Sequence, residues 1–328
     1  MSALTLAELS DLSYRSAVAV YVLAATLLAC ELASVRTSTV VQRETTRELV
    51  GSGAPVTPQQ RSTLPGRVQV AVGRPLADRL GRMGVALVVL GLVLHIGSLV
   101  LRGVSAHRAP WGNMYEFTSL ATSVAVAGTL VVLRRHTVRP LSVFVLLPVV
   151  VLMFIGGTTL YARSAPVVPA LQSYWLVIHV SVIATASGVL LVSGIASLLF
   201  LLRRHYPLGG EGLSWAGQLA ARLPGAQMLD RVAYRTAIFA FPLFTVGVIL
   251  GAIWAEAAWG RFWGWDPKEV TAFITWVVYA AYLHARATAG WRNTRAAWIN
   301  VVGTGVVLFN LFFINIVVSG LHSYAGLN

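Results

Sequence analysis

Residues 175–202 read WLVIHVSVIATASGVLLVSGIASLLFLL, a run without a single Lys, Arg, Asp or Glu. About 20 predominantly apolar residues in a helix are enough to cross the hydrocarbon core of a bilayer. Similar apolar runs recur along the whole chain, and only 11% of its 328 residues are charged, whereas an average soluble protein has about 25%. The sequence therefore predicts an all-α integral membrane protein that lies in the lipid bilayer.

The distribution of cations predicts how the helices cross the membrane. We expect eight spans, at residues 15–34, 83–101, 117–133, 141–160, 175–202, 236–254, 269–285 and 298–320. Of the 25 Lys and Arg residues, 19 fall in four alternate connections, at 35–82, 134–140, 203–235 and 286–297. Cytoplasmic loops are enriched in these residues, so this side is predicted to be cytoplasmic and both termini extracytoplasmic. The net charge of +13 is then a signal of topology and does not indicate nucleic-acid binding.

The chain divides into two parts at residue 82. Residues 1–82 hold the first span and an Arg-rich cytoplasmic loop, and residues 83–328 form one membrane domain. Cys30 is the only cysteine, so the chain does not perform thiol redox chemistry by itself. The predicted outer surface consists of three loops and a tail: RGVSAHRAPWGNMYEF (102–117), YARSAPVVPALQSYW (161–175), AEAAWGRFWGWDPKE (255–269) and LHSYAGLN (321–328).

The third outer loop is unusually aromatic. Four of the ten tryptophans lie within twelve residues: Trp254, Trp259, Trp263 and Trp265. One interpretation is an interfacial belt, because Trp rings sit well at the level of the lipid headgroups. A belt spreads its rings over many helix ends, however, and this cluster occupies one loop. The alternative is a platform for a large, flat, apolar ligand with some negative charge, which Arg261 and Lys268 could neutralise.

The two acids that follow the aromatic residues have a structural explanation. Asp266, Pro267, Lys268 and Glu269 fit the N-cap and first three positions of the seventh predicted helix. In a capping box, the Asp266 side chain accepts from the Glu269 amide and the Glu269 side chain accepts from the Asp266 amide. Pro267 suits the first turn of the helix. We favour this structural role for the pair over a general acid and base.

Histidines flank the aromatic loop. His179 lies about four residues into the fifth span, near its outer end, and His322 follows the eighth span at the same level. Two imidazoles at one depth are what bis-histidine haem ligation requires, although two unrelated interfacial histidines would give the same spacing. His284 lies near the inner end of the seventh span, about 22 Å from Glu269 at 1.5 Å per residue. His95 is mid-span, where a hydrogen-bonded packing role is expected.

Several stretches resemble one family of haem-handling proteins. WGRFWGWDPKE (259–269), within the predicted outer loop 254–269, resembles the tryptophan-rich WWD signature of cytochrome c biogenesis. Three histidine contexts are similar to those of the CcsA/ResC family, labelled CcsB in some genomes, of the system II pathway. They are PALQSYWLVIH (169–179), YLHAR (282–286) and GLHSYA (320–325). AHRAPWGNMYEF (106–117) resembles the first outer-loop motif of that family, with Ala106 where Gly is expected.

The resemblance implies a function and a set of site residues. It implies a protein of the bacterial plasma membrane that transports haem b across the membrane and presents it for covalent attachment to the CXXCH motifs of apocytochrome c. His179 and His322 would ligate the iron at an outer site, and the rings of Trp259, Trp263 and Trp265 would cover the macrocycle.

The resemblance also implies an inner site and partner proteins. His284 would ligate haem within the bilayer, and a ResB-type partner would supply the second ligand there, unless His95 does. With that partner the chain would form a haem lyase, and a thiol-reducing protein would be a further partner. Two alternatives are a haem transporter without lyase chemistry and a membrane subunit that transfers electrons through haem b.

Overall fold

The computed structural model describes residues 5–51, 76–135, 139–167 and 171–322. Every regular element in these ranges is a helix, in agreement with the all-α prediction. The helices are α1 Leu6–Gly51, α2 Leu76–Ala106, α3 Met114–Arg135, α4 Arg139–Thr158, α5 Tyr174–His205, α6 Trp215–Ala220, α7 Ala226–Trp259, α8 Pro267–Ala287, α9 Thr294–Leu311 and α10 Phe313–Val317.

Seven of the eight predicted spans correspond to helices of the described chain that are long and apolar enough to cross a membrane. The remaining prediction, 269–285, corresponds to α8, which has 21 residues but is not among the helices that are both long and apolar enough to cross a membrane. Polar side chains within it account for the difference, among them Thr271, Thr275 and His284. The molecule is thus a multi-pass membrane protein in which α8 stands apart by composition.

Contacts at its two ends show that α8 extends across the bundle. At its beginning, Asp266 accepts a hydrogen bond from His322, which follows α10. At its other end, Arg286 forms two hydrogen bonds, of 2.6 and 2.9 Å, with the Asp230 carboxylate near the start of α7. Since α7 and α8 are joined by a short loop after Trp259, the two helices are antiparallel neighbours.

The centre of the bundle is α5, which packs against α3, α7 and α9. The contact between α5 and α7 is close because α7 presents Gly247 and Gly251 one turn apart toward α5. Small residues four apart allow two membrane helices to approach closely. Between α5 and α9, the Asn300 amide donates 2.8 Å hydrogen bonds to the hydroxyls of Ser193 and Ser197.

The structure corrects the predicted connections in two places. Helix α1 continues to Gly51, so the connection predicted at 35–82 begins later, and residues 52–75 of it lie outside the described residues. The last predicted span is divided at Phe312 into α9 and the short α10. The segment that follows α10 carries His322.

Candidate functional site

The four segments predicted to share one surface meet around a cavity of about 170 Å³. Its wall is largely apolar and aromatic, and it is formed by the ends of α3, α5, α7, α8 and α9 together with their connections. The rings in the wall belong to Trp111, Phe117, His179, Phe244, Trp254, Trp259, Phe262, Trp263 and His322. A concave, aromatic site with few polar groups is typical of binding sites for cofactor-sized ligands.

His179 is held against α7 by a backbone contact. Its Nδ1 lies 2.8 Å from the carbonyl oxygen of Gly247. A carbonyl only accepts, so Nδ1 donates and carries the proton. The close approach requires Gly251, because a Cβ there would lie 2.7 Å from the His179 ring. The imidazole also stacks on Trp254, with ring centroids 6.1 Å apart and planes 8° from parallel.

His322 reaches the same cavity from the segment after α10. Its Nδ1 lies 2.7 Å from Oδ2 of Asp266, and the Leu321 amide donates to Oδ1 of the same carboxylate at 2.7 Å. The ring lies edge-on to Trp254 at 5.8 Å and to Trp259 at 5.2 Å. Trp254 therefore contacts both imidazoles, although 143 residues of chain separate His179 from His322.

The surroundings of His322 and Asp266 favour a neutral imidazole beside an ionised carboxylate. Burial lowers the pKa of His322, and the hydrogen bond to Asp266 partly opposes this effect. Burial alone would raise the pKa of Asp266, but the hydrogen bonds from His322 and Leu321 outweigh it and lower the pKa to about 2. The neutral imidazole is the form of histidine that ligates a metal.

The predicted capping box is formed at the start of α8. Asp266 is the N-cap, and Oε2 of Glu269 accepts from the Asp266 amide at 3.1 Å. The same oxygen accepts from the Gly264 amide at 2.8 Å, so Glu269 also holds the loop before the helix. Between these two amides lies Trp265, whose φ of 60° is in the left-handed region and whose residue is 71% exposed.

Two of the three loop tryptophans expected to cover the ligand lie in the cavity wall, and the third does not. Trp259 and Trp263 line the cavity, as does Lys268. Trp265 points away from it, and the large buried ring beside the two histidines is Trp254, which is 2% exposed. Arg261 also lies outside the wall, where its guanidinium is 3.4 Å from Glu269.

A buried ion cluster, which sequence reasoning missed, shapes the first outer loop. Glu116 is fully buried and accepts from Nε of Arg102 at 3.1 Å and from both terminal nitrogens of Arg108, at 2.7 and 3.0 Å. It also accepts from the Gly112 amide at 2.8 Å, which fixes the loop beside Trp111. The signal for this cluster is three charged residues in a predominantly apolar sequence, since a buried charge requires a partner.

Three buried polar atoms of the cavity wall have no hydrogen-bond partner within the described ranges. They are Nε1 of Trp111 and the Oδ1 atoms of Asn310 and Asn315. Lys268 also lines the wall, and its ammonium group has no hydrogen-bonding or ion-pair partner among the described residues. Buried polar groups in proteins are nearly always paired, so unpaired ones in a cavity indicate a ligand with polar groups.

His284 and His95 lie outside this cavity. His284 is exposed on α8, near the end that Arg286 ties to α7. His95 is fully buried, with Nε2 at 2.9 Å from the Ser119 hydroxyl and Nδ1 at 3.5 Å from that of Tyr21. Both of its ring nitrogens contact hydroxyl groups, which fits the expected packing role.

Comparison with known proteins gives the family. Residues 111–322 match the family model described as "Cytochrome C assembly protein". The protein called "Cytochrome c biogenesis protein CcsA" in Parasynechococcus marenigrum (strain WH8102) is 35% identical over 259 residues, covering 73% of this chain and 85% of that protein. CcsA of Gloeobacter violaceus (strain ATCC 29082 / PCC 7421) is 32% identical over 305 residues, covering 77% and 88% respectively.

A solved structure shares the fold. The protein titled "Cytochrome c Heme Lyase CcmF" aligns with a TM-score of 0.58 at 16% identity, over 95% of this chain and 52% of that chain. This chain thus spans about half of the longer CcmF chain. The family match covers the cavity residues from Trp111 to His322. From this match and from the CcsA relatives, we conclude that the chain belongs to the cytochrome c assembly protein family.

Proposed function

We propose that the cavity binds haem and presents it for covalent attachment to apocytochrome c. The observation that carries this proposal is the meeting of His179 and His322 in one aromatic cavity, with Trp254 in contact with both rings. Each imidazole has its Nδ1 hydrogen-bonded to the protein, so each would ligate iron through Nε2. Apolar rings cover the macrocycle, and Lys268 faces the negative charge of a propionate.

The attachment step needs orientation more than it needs an acid or base. Each thiol of a CXXCH segment adds across a haem vinyl group, so a C–S bond forms and the thiol proton ends on carbon. The histidine of that segment replaces one of the two axial imidazoles of the lyase. The cavity contributes a fixed haem position and exclusion of water, whereas the reactivity belongs to haem and thiol.

An inner site at His284 would supply haem to this cavity. A histidine exposed on a membrane helix is costly without a partner, which supports a ligand or protein contact there. A row of rings leads from Trp263 in the cavity wall along α8 toward it: Trp263 contacts Phe273 with ring centroids 6.4 Å apart, and Phe273 stacks on Trp276 at 6.2 Å. In this proposal a ResB-type partner brings the second inner ligand, because the two ring nitrogens of His95 already contact the hydroxyls of Ser119 and Tyr21.

The orientation follows from the charge distribution. The Arg-rich end of the bundle faces the cytoplasm, and the cavity opens on the extracytoplasmic side of the bacterial plasma membrane. Haem b would enter through the inner site, cross along α8 and reach the cavity. Apocytochrome c would meet it on the outer side, where a thiol-reducing protein keeps its cysteines reduced.

The test is the visible absorption spectrum of the purified protein, co-expressed with a ResB-type partner in cells that make ample haem. We expect six-coordinate haem in the wild type, its loss or alteration in His179→Ala and His322→Ala, and partial loss in His284→Ala. His205→Ala is the matched control, since His205 is exposed and distant from the cavity. A colourless wild type, or equal spectra in all four variants, would refute the proposal.

A further inference from the structure

Asp266 does more than cap a helix. The residue is 7% exposed, and its carboxylate accepts hydrogen bonds from the Lys268 amide at 3.2 Å, from the Leu321 amide at 2.7 Å and from Nδ1 of His322 at 2.7 Å. The first bond belongs to the N-cap of α8, and the other two come from the segment after α10. One side chain therefore fixes the position of His322 relative to the aromatic loop.

The contact also fixes which nitrogen of His322 carries the proton. An ionised carboxylate is an acceptor only, so Nδ1 must donate and Nε2 is left with its lone pair. The rings of Trp254 and Trp259 lie edge-on to the His322 ring, with centroids 5.8 and 5.2 Å from its centroid, and they restrict its rotation. The Nδ1–Asp266 bond and these two rings together orient Nε2 within the cavity wall.

The packing around Asp266 shows how closely the start of α8 fits against the segment after α10. A Cβ at Gly320 would lie 2.6 Å from Oδ1 of Asp266 and 3.4 Å from Cδ of Pro267. Real side chains do not approach so closely, so this position accepts glycine only while the carboxylate stays where it is. The chain between α10 and His322 is thus shaped around this one acid.

The two cavity histidines differ in the group behind them. Nδ1 of His179 donates to a neutral carbonyl, that of Gly247, whereas Nδ1 of His322 donates to a carboxylate. Hydrogen bonds to a charged acceptor are about twice as strong as those between neutral groups. A carboxylate behind a ligating histidine fixes its tautomer and raises its basicity as a ligand.

We propose that Asp266 is the positioning residue of His322: it sets the Nδ1–H tautomer, aims Nε2 into the cavity, and makes His322 the stronger electron donor of two unequal haem ligands. The last part rests on the proposed function. A more basic axial ligand stabilises ferric iron, so Asp266 lowers the reduction potential of haem held in the cavity.

Two variants separate this role from capping. Asp266→Ser keeps a side-chain oxygen suited to an N-cap, but it is too short to reach His322. Glu269→Gln alters the other half of the capping box and leaves the contact between Asp266 and His322 in place. Capping alone predicts similar effects for the two variants, whereas the positioning role predicts that only Asp266→Ser changes His322.

The first readout uses the haem-free protein. With ¹⁵N-labelled histidine, and with His322 assigned by its absence in His322→Gln, we expect the Nδ1–H tautomer in the wild type and in Glu269→Gln. Asp266→Ser should show a different tautomer distribution at His322. An unchanged His322 signal in folded Asp266→Ser, or the same change in both variants, would overturn the proposal.

The second readout uses the haem-loaded complex. Asp266→Asn, which replaces the carboxylate by a neutral amide of the same shape, should raise the midpoint potential, and Asp266→Ser should lower haem affinity about 10-fold or more. An unchanged potential in haem-loaded Asp266→Asn would refute the unequal-ligand part. If the wild type binds no haem, the proposed function fails, and the tautomer measurement alone then decides whether Asp266 positions His322.

Discussion

Trp263 and Trp265 are separated by a single glycine, yet only Trp263 lines the cavity. We expect Trp263→Ala to lower haem affinity roughly 10- to 100-fold, because burying an aromatic side chain contributes about 1.5–3 kcal/mol. Trp265→Ala is the matched control and should retain haem. Haem retained per mole of purified protein measures the difference, and a larger loss in Trp265→Ala would contradict the geometry of the loop.

At the scale of single residues, the sequence predicts local contacts and misses distant ones. The capping box of Asp266 and Glu269 could be predicted because both partners lie within four positions and the pattern is specific. The contact of Asp266 with His322 spans 56 residues, and no local pattern indicates it. The outward position of Trp265 follows from one positive φ, and an aromatic residue gives no sign of that conformation.

At the scale of helices, the packing of α5 on α7 positions His179. Gly251→Ala would place a Cβ 2.7 Å from the imidazole, and overpacking of this kind costs about 1–3 kcal/mol. We expect a lower unfolding temperature in detergent and a lower haem content. Gly97→Ala, on α2 with nothing within 4 Å of the added Cβ, should be neutral or stabilising. Equal unfolding temperatures for the two variants would argue against close packing at Gly251.

The ion pair between Arg286 and Asp230, which joins α8 to α7 at the end far from the cavity, supports a second prediction at this scale. Arg286→Met removes two hydrogen bonds to Asp230 in a partly buried setting, and the loss should destabilise the fold by about 1.5–3 kcal/mol. Arg82→Met is the control, since its pair with Asp78 joins exposed residues one helical turn apart and contributes about 0.3–0.5 kcal/mol. Thermal unfolding of both variants tests this order, and a larger loss in Arg82→Met would contradict it.

Helix existence was predictable for a physical reason. Backbone groups in a bilayer must be paired within the segment, so each long apolar run has to be a helix. Helix ends were less predictable, because α1 and α2 extend beyond their apolar runs, to Gly51 and from Leu76. The position of α8 could be predicted from its capping signal, although its polar side chains make it the least obvious span.

At the scale of the whole molecule, the predicted topology can be tested by replacing one of two exposed alanines with cysteine. In a Cys30→Ser background, Ala257→Cys lies at the cavity end and Ala289→Cys lies at the Arg-rich end, and both positions are exposed. We expect a membrane-impermeant maleimide to label Ala257→Cys in intact cells and Ala289→Cys only after lysis. The opposite pattern would place the cavity on the cytoplasmic side and contradict the orientation in our proposal.

The gathering of outer segments was also predictable at this scale, because alternate connections of a helical bundle lie at the same end. The cavity that they form was not predictable, since it depends on which side chains turn inward. Trp254 illustrates the limit: it was counted among the aromatic residues of the loop, but in the structure it lies within α7 and contacts both histidines.

The left-handed backbone conformation of Trp265 has a consequence for how an incoming polypeptide contacts the protein. A residue with a side chain is less stable in this conformation than glycine by about 1–2 kcal/mol, so Trp265→Gly should raise the unfolding temperature. The loop holds a large rigid ring at the rim, outside the wall that encloses the ligand. Such rings dominate the energetics of many protein interfaces. If Trp265→Gly also slows covalent attachment without reducing haem content, Trp265 is a contact site for the incoming polypeptide. The aromatic loop would then bind two substrates at once, haem on its inner side and a protein on its outer side.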